Sequence, residues 1–230
     1  MPWLVRTWNV FHGNTVPPGR RAHLEEMVRL AVADGPSVVC LQEVPVWAVR
    51  RLARWSGMTA IGSVAAYPRL RSAELGRIVT DIDHGLLRSA FTGQANAILV
   101  DAGLDVVREA AEQISTSGER RVCQAVTIDG LGVVANVHVT GGAPAEEQLR
   151  RVVRFAEDAA GDAALILCGD FNLTPPYAAI EGYSTPALGI DQVLVRGRLP
   201  AATPLVWPPE RRRLDGRLLS DHAPVDVLVG

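Results

Sequence analysis

Short apolar runs that stop on polar residues recur along this chain, and between them lie segments of helical period. Residues 3–10 (WLVRTWNV) have strand-forming composition, with Asn9 near the end of the run. After a loop rich in Gly and Pro, Leu24, Met27, Val28 and Ala31 recur at helical spacing, and Gly35-Pro36 stops that helix. Residues 37–41 read as a buried strand ending on Gln42 and Glu43. Pro45 then starts a second helix, with Val49, Leu52 and Ala53 on one face. A strand, a polar tip and a helix thus occur twice within fifty residues, which implies a layered α/β domain. Residues 67–93 are the least periodic stretch, and a long surface excursion of the kind that forms substrate loops is expected there.

Strand-like runs return at 96–100, 121–128 and 131–139, whereas 104–114 fits neither period. Over 144–160 a helix is clear: Leu149, Val152, Val153 and Ala156 line one side, and Glu146, Glu147, Arg150, Arg151 and Arg154 the other. The apolar run Leu165–Cys168 then delivers Gly169, Asp170 and Asn172 into a turn closed by Pro175 and Pro176. A strand over 190–195, a Pro- and Arg-rich loop over 204–217 and a last strand over 223–229 complete the chain. No repeat, low-complexity tract or linker divides it, so residues 1–230 are expected to form a single domain.

Composition narrows the class. Apolar residues make up 48% and charged residues 21%, which excludes disordered and fibrous classes. No apolar window is long enough to span a membrane and no leader pattern opens the chain, so a cytoplasmic protein is expected. Cys40, Cys123 and Cys168 each lie in an apolar run without CxxC spacing, which fits buried free thiols better than a disulfide or zinc site. All 23 basic residues are arginine, yet the net charge is −2, so a polyanion would have to bind a local patch.

The polar tips carry the candidate chemistry. Asn9, Glu43, His138, Asp170 with Asn172, Asp191 and Ser220-Asp221-His222 all flank apolar strands. Taken singly, Asn9, Asp191 and Ser220 fit turn or cap residues, Glu43 a helix cap, and His138 a satisfied core histidine. Jointly, so many acidic, His and Asn tips are hard to obtain from capping alone.

The order WNV, LQEV, NVHV, GDFN, GIDQVLV and SDHAPV closely resembles the endonuclease/exonuclease/phosphatase superfamily of deoxyribonuclease-like phosphoesterases, from Asn9 to His222. The resemblance implies a four-layer α/β sandwich, with two mixed β-sheets packed face to face and helices outside. It implies a Mg²⁺-dependent hydrolase, with Mn²⁺ an alternative, that cleaves phosphodiester or phosphomonoester bonds by in-line attack of water. A metal of this kind takes oxygen ligands, so Glu43 is the first candidate, with Asn9 beside it and Asp221 as a further ligand. By the same resemblance His222 is held by Asp191 and serves as general base or as a hydrogen-bond donor to the phosphate. Asp170 positions or activates water, Asn172 hydrogen-bonds it or the phosphate, and His138 contacts the phosphate or assists the leaving group. Arg121 resembles an arginine that contacts substrate phosphate.

The chain departs from the pattern at Val137-His138-Val139, where a hydroxyl commonly precedes the histidine. No single acid in residues 67–93 stands out as the partner of His138; Glu74, Asp81 and Asp83 are the candidates. Arg211, Arg212, Arg213 and Arg217 lie just before Asp221, and guanidinium groups there form an expected anion patch. Replacing Arg212 and Arg213 by Ala is then expected to raise KM for a phosphate substrate more than it lowers kcat. The substrate remains open between nucleic acid and a small-molecule or lipid phosphate, with low net charge tilting away from a duplex nuclease. A catalytically inactive binding module is the remaining alternative.

Overall fold

The computed structural model describes residues 2–68, 72–80 and 91–230, apart from the side chain of Val79. With strands numbered in chain order, the first sheet has six: β11 (Leu205–Val206), β14 (Val225–Val229), β1 (Trp3–Asn9), β3 (Val38–Val44), β5 (Gln94–Val100) and β4 (Thr59–Ala66) in spatial order. The second has five: β10 (Asp191–Arg196), β9 (Leu165–Asp170), β8 (Gly132–His138), β7 (Val122–Ile128) and β6 (Val106–Gln113). A third, of three short strands, joins β12 (Arg213–Leu214), β13 (Arg217–Leu219) and β2 (Thr15–Val16).

Strand alternation divides the apolar side chains among three buried clusters. Val5, Val38, Cys40 and Ile98 of the first sheet share one cluster with Val126, Val134, Ile166, Cys168 and Val193 of the second. The alternate residues of the first sheet, Val39, Leu41 and Leu99, pack instead on Leu24, Met27 and Val28 of helix α1 (Leu24–Ala31). Those of the second sheet, Ala135, Val137, Leu165 and Leu167, pack on Leu149, Val152 and Ala156 of the helix over Ala145–Ala160. Strands buried on both faces explain why β3 and β9 read as unbroken apolar runs.

Polar bonds cross between the sheets near their working end. Asn136 Nδ2 donates to the Leu41 and Ala97 carbonyls at 3.0 and 2.9 Å, and Gln42 Nε2 donates to Asn136 Oδ1 at 2.8 Å. Breaking such a buried set leaves unpaired groups at about 1–3 kcal/mol each, so it fixes the sheets relative to each other.

The second expected helix differs from its prediction. Residues Val46–Arg51 form a 3-10 turn before α2 (Leu52–Ser56). Three residues per turn rotate the buried set to Trp47, Ala48, Leu52 and Trp55, and Ala53 faces solvent. Within the stretch expected to be an irregular excursion, Ala73–Thr80 forms α3, and Arg69, Arg71, Asp81 and Asp83 lie outside the described residues. Helix α4 spans Ala145–Ala160 as its pattern predicts. The ambiguous 104–114 stretch holds the edge strand β6, exposed along most of its length, so neither period could show. Cys40, Cys123 and Cys168 are buried and free. Among the described residues no helix is long and apolar enough to cross a membrane.

Gly169 is required where β9 passes β8. Its φ is +141°, and a Cβ built there would lie 2.0 Å from the Val137 carbonyl oxygen. Gly169→Ala is expected to destabilise the protein by about 3 kcal/mol, through overpacking against backbone. Urea unfolding checks this; an unchanged midpoint would contradict the close approach.

Candidate active site

Strand direction gathers the site at one end of both sheets. Parallel β8 and β9 place His138 beside Asp170, and antiparallel β9 and β10 place Asp170 beside Asp191. In the first sheet Asn9 ends β1 opposite Gln42 of parallel β3, and antiparallel β14 enters next to them. The turn before β14 is tied back to β1: Ser220 Oγ donates to the Asn9 carbonyl at 2.7 Å, and Trp8 Nε1 donates to the His222 carbonyl at 3.0 Å.

Local backbone strain marks the same place. Phe11, His12, Glu43, Asn172 and Ser220 all have positive φ, between +49° and +60°, which non-glycine residues adopt at a cost of about 1–3 kcal/mol. For Glu43 the cause is a shift in β3–β5 pairing between Leu41 and Val44. Such a bulge re-aims side chains. Gln42 therefore bonds between the sheets while the adjacent Glu43 reaches the site.

Asp170 is the hub. Its Oδ2 accepts from Asn9 Nδ2 at 3.1 Å and lies 3.5 Å from His138 Nε2 and 3.8 Å from His222 Nε2, while Oδ1 accepts from the Asn172 backbone N–H at 2.9 Å. Asn9 Nδ2 also reaches Glu43 Oε1 at 3.2 Å. His222 Nδ1 lies 3.1 and 2.9 Å from the two oxygens of Asp191. Ligand atoms of Asp170, Asp191 and His222 fall within 4.8 Å of one another.

Environment separates the titrating groups. Burial, then the Asp191 charge, pushes Asp170 up to about 6 against the pull of His222, Asn9 and the Asn172 N–H. Burial alone would lower His222, but its hydrogen bond to Asp191 and the surrounding carboxylates raise it to about 9. Burial, followed by the Arg121, His222 and His12 charges, holds His138 well below the usual histidine range.

The structure places three further expected site residues around this centre. Asp221 is exposed at the rim, where its Oδ1 lies 3.4 Å from Ser220 Oγ, and it lines a cleft of about 420 Å³ with Asp191 and His222. Asn172 Nδ2 donates to the Val139 carbonyl at 2.8 Å, so this side chain secures the loop while its backbone orients Asp170. Arg121 does not stand open to phosphate: it is buried, with Nη1 2.8 Å from His138 Nδ1, Nε on Thr140 Oγ1 at 3.3 Å and Nη2 on Glu119 Oε2 at 3.0 Å. His138 Nδ1 thus meets an arginine, and two of the acids considered as its partner, Asp81 and Asp83, lie outside the described residues.

The Arg-rich loop is an internal brace. Arg212 is buried, and its Nη1 donates to the Leu219 and Ser220 carbonyls at 2.9 and 2.8 Å, which shapes the turn leading to Asp221 and His222. Arg211 stacks 3.6 Å over Trp207 and bonds Asp34, while Arg217 donates to the Pro17 carbonyl at 3.0 Å. Arg213 is exposed and bonds the Gly216 carbonyl of its own turn at 3.3 Å. The expected KM effect is therefore replaced. Arg212→Met should cost about 2–4 kcal/mol of stability, because it leaves buried carbonyls unpaired. Arg213→Ala should leave KM unchanged; Michaelis curves and thermal melts of both variants check the pair.

His12 was missed by the sequence reading. It is buried in a 3-10 turn, with Nε2 3.3 Å from Glu43 Oε2 and Nδ1 3.3 Å from Thr92 Oγ1. Its position three residues after Asn9, in the FHGN that follows the WNV tip, was the available signal.

Paired sheets that bring acids, an asparagine and histidines to one end define a phosphoesterase-type hydrolase. The chain belongs to the Endonuclease/Exonuclease/phosphatase family, whose pattern matches residues 7–222. A conserved protein of unknown function from Enterococcus faecalis is similar in structure, at 17% identity over 99% of both chains with a TM-score of 0.73. Caenorhabditis elegans TDP2 is similar at 16% identity, over 100% of this chain and 74% of the other, with a TM-score of 0.68. A mannosyl-6-phosphatase of Bacteroides thetaiotaomicron is similar at 14% identity over 99% of both chains, also with a TM-score of 0.68. No curated protein sequence matches.

Proposed function

We propose that residues 1–230 form one four-layer domain that hydrolyses a phosphate ester with a divalent metal, Mg²⁺ or Mn²⁺, by in-line attack of water. The observation that carries this reading is the convergence on Asp170 of Asn9, His138 and the His222–Asp191 pair, with Glu43 one hydrogen bond away. The donor set fits a hard cation. Glu43 and Asp170 are oxygen donors, and among the described residues their ion-pair neighbours are the histidines His12, His138 and His222, with no arginine. Glu43 would hold the metal with Asn9, and Asp221 would complete the set from the rim. When bound, it supplies charge neutralisation at the phosphate and a lowered pKa for water.

The chain's own residues divide the proton work. With a pKa raised to about 9, His222 keeps its proton at neutral pH, which suits donation to a phosphate oxygen and favours that role over general base. Asp170, pushed to about 6 and held by Asn9 and the Asn172 N–H, suits accepting the proton of attacking water. Asp191 orients the His222 ring.

Arg211, Arg212 and Arg217 are engaged within the protein, which removes this cluster from phosphate-backbone binding and favours a small or single-ended phosphate ester over a DNA duplex. A panel of sugar phosphates, nucleotides, inositol phosphates, phospholipids, single-stranded and duplex DNA, and RNA tests the choice. Turnover of a small ester is expected. Efficient duplex cleavage that falls steeply with salt would overturn the substrate preference.

A further inference from the structure

We propose that Arg121 is a positioning residue that locks His138 as the Nε2–H tautomer, making that histidine a fixed hydrogen-bond donor into the active site. A guanidinium has donors and no acceptor. With Arg121 Nη1 2.8 Å away, His138 Nδ1 must present its lone pair, and the neutral ring carries its proton on Nε2. Among the described residues its ion-pair neighbours are both acceptors: Asp170 Oδ2 at 3.5 Å and Glu43 Oε1 at 3.9 Å. A bound phosphate oxygen in the same place would receive the same N–H.

Arg121 is itself held rigidly. Its backbone N–H donates to Ser115 Oγ at 2.8 Å, and Thr140 Oγ1, which its Nε reaches, also accepts from Gln148 Nε2 of α4 at 3.2 Å. A chain of contacts therefore runs from α4 through Thr140 and Arg121 to the imidazole. His222 is set the opposite way. Its Nδ1 meets the Asp191 carboxylate, which only accepts, so Nδ1 bears the proton. One histidine is backed by a cation and the other by an anion. The first donates and the second carries the proton.

The kinetic consequence rests on the phosphoesterase reading; the tautomer rests on geometry alone. Long-range ¹H–¹⁵N NMR of the full chain with labelled histidine, without metal and with Mg²⁺, should show His138 Nδ1 unprotonated and Nε2 protonated. Arg121→Met should release a mixture of tautomers and lower kcat about ten- to a hundredfold, the usual cost of losing the group behind a working histidine, with KM within about twofold. Arg121→Lys keeps a donor and should recover most of both signals. A protonated Nδ1 in the wild type, or an unchanged tautomer in Arg121→Met, would overturn the assignment. So would a rise in KM at constant kcat, which would place Arg121 directly on the phosphate. If Arg121→Met does not fold, the wild-type spectrum decides. If the spectrum is as stated but no phosphate ester is turned over, the tautomer assignment stands and the proposed function fails.

Discussion

His222→Ala is expected to lower kcat for a phosphate ester by about a thousandfold, within the range for removal of a positioned acid–base group. The ring stands between Asp191, 2.9 Å from Nδ1, and Asp170, 3.8 Å from Nε2, so one substitution removes both the donor and the positive charge between two buried carboxylates. KM should move far less, because the group acts mainly as charge develops in the transition state. Asp191→Asn should cost less than His222→Ala, since it misorients the ring without deleting it. Steady-state kinetics on folded variants, verified by circular dichroism, measure both. Equal activity of His222→Ala and wild type would remove His222 from the chemistry.

Glu43→Gln is expected to abolish the response to metal. The substitution preserves shape and an amide oxygen within reach of Asn9, but it removes the carboxylate that the bulge in β3 aims into the site. Wild-type protein at a hundredfold excess of Mg²⁺ over its dissociation constant should gain about 2.7 kcal/mol, read as a rise in melting temperature. The variant should show no such rise and should lose most of its turnover. An identical metal-induced shift in the variant would show that the ion binds elsewhere.

Much of this architecture was legible from the chain, because burial on both sheet faces makes β1, β3, β5, β8 and β9 near-continuous apolar runs. Their ends coincide with Asn9, Glu43, His138 and Asp170, since parallel neighbours finish at the same edge. Four features were not legible, each for a physical reason. β4 is built of small residues, TAIGSVAA, that give little hydrophobic contrast, and β6 lies exposed at an edge. His12 occupies a strained turn without periodic pattern. The arginines before Asp221 looked like a phosphate clamp because sequence proximity says nothing about accepting carbonyls on neighbouring turns, such as those of Leu219, Ser220 and Pro17.

Hydrolysis of bis-p-nitrophenyl phosphate by the purified chain, with Mg²⁺ or Mn²⁺ and then with EDTA, addresses the metal-dependent phosphoesterase reading in one assay. Turnover that EDTA abolishes and excess metal restores is the expected result. Turnover that survives EDTA undiminished would contradict it.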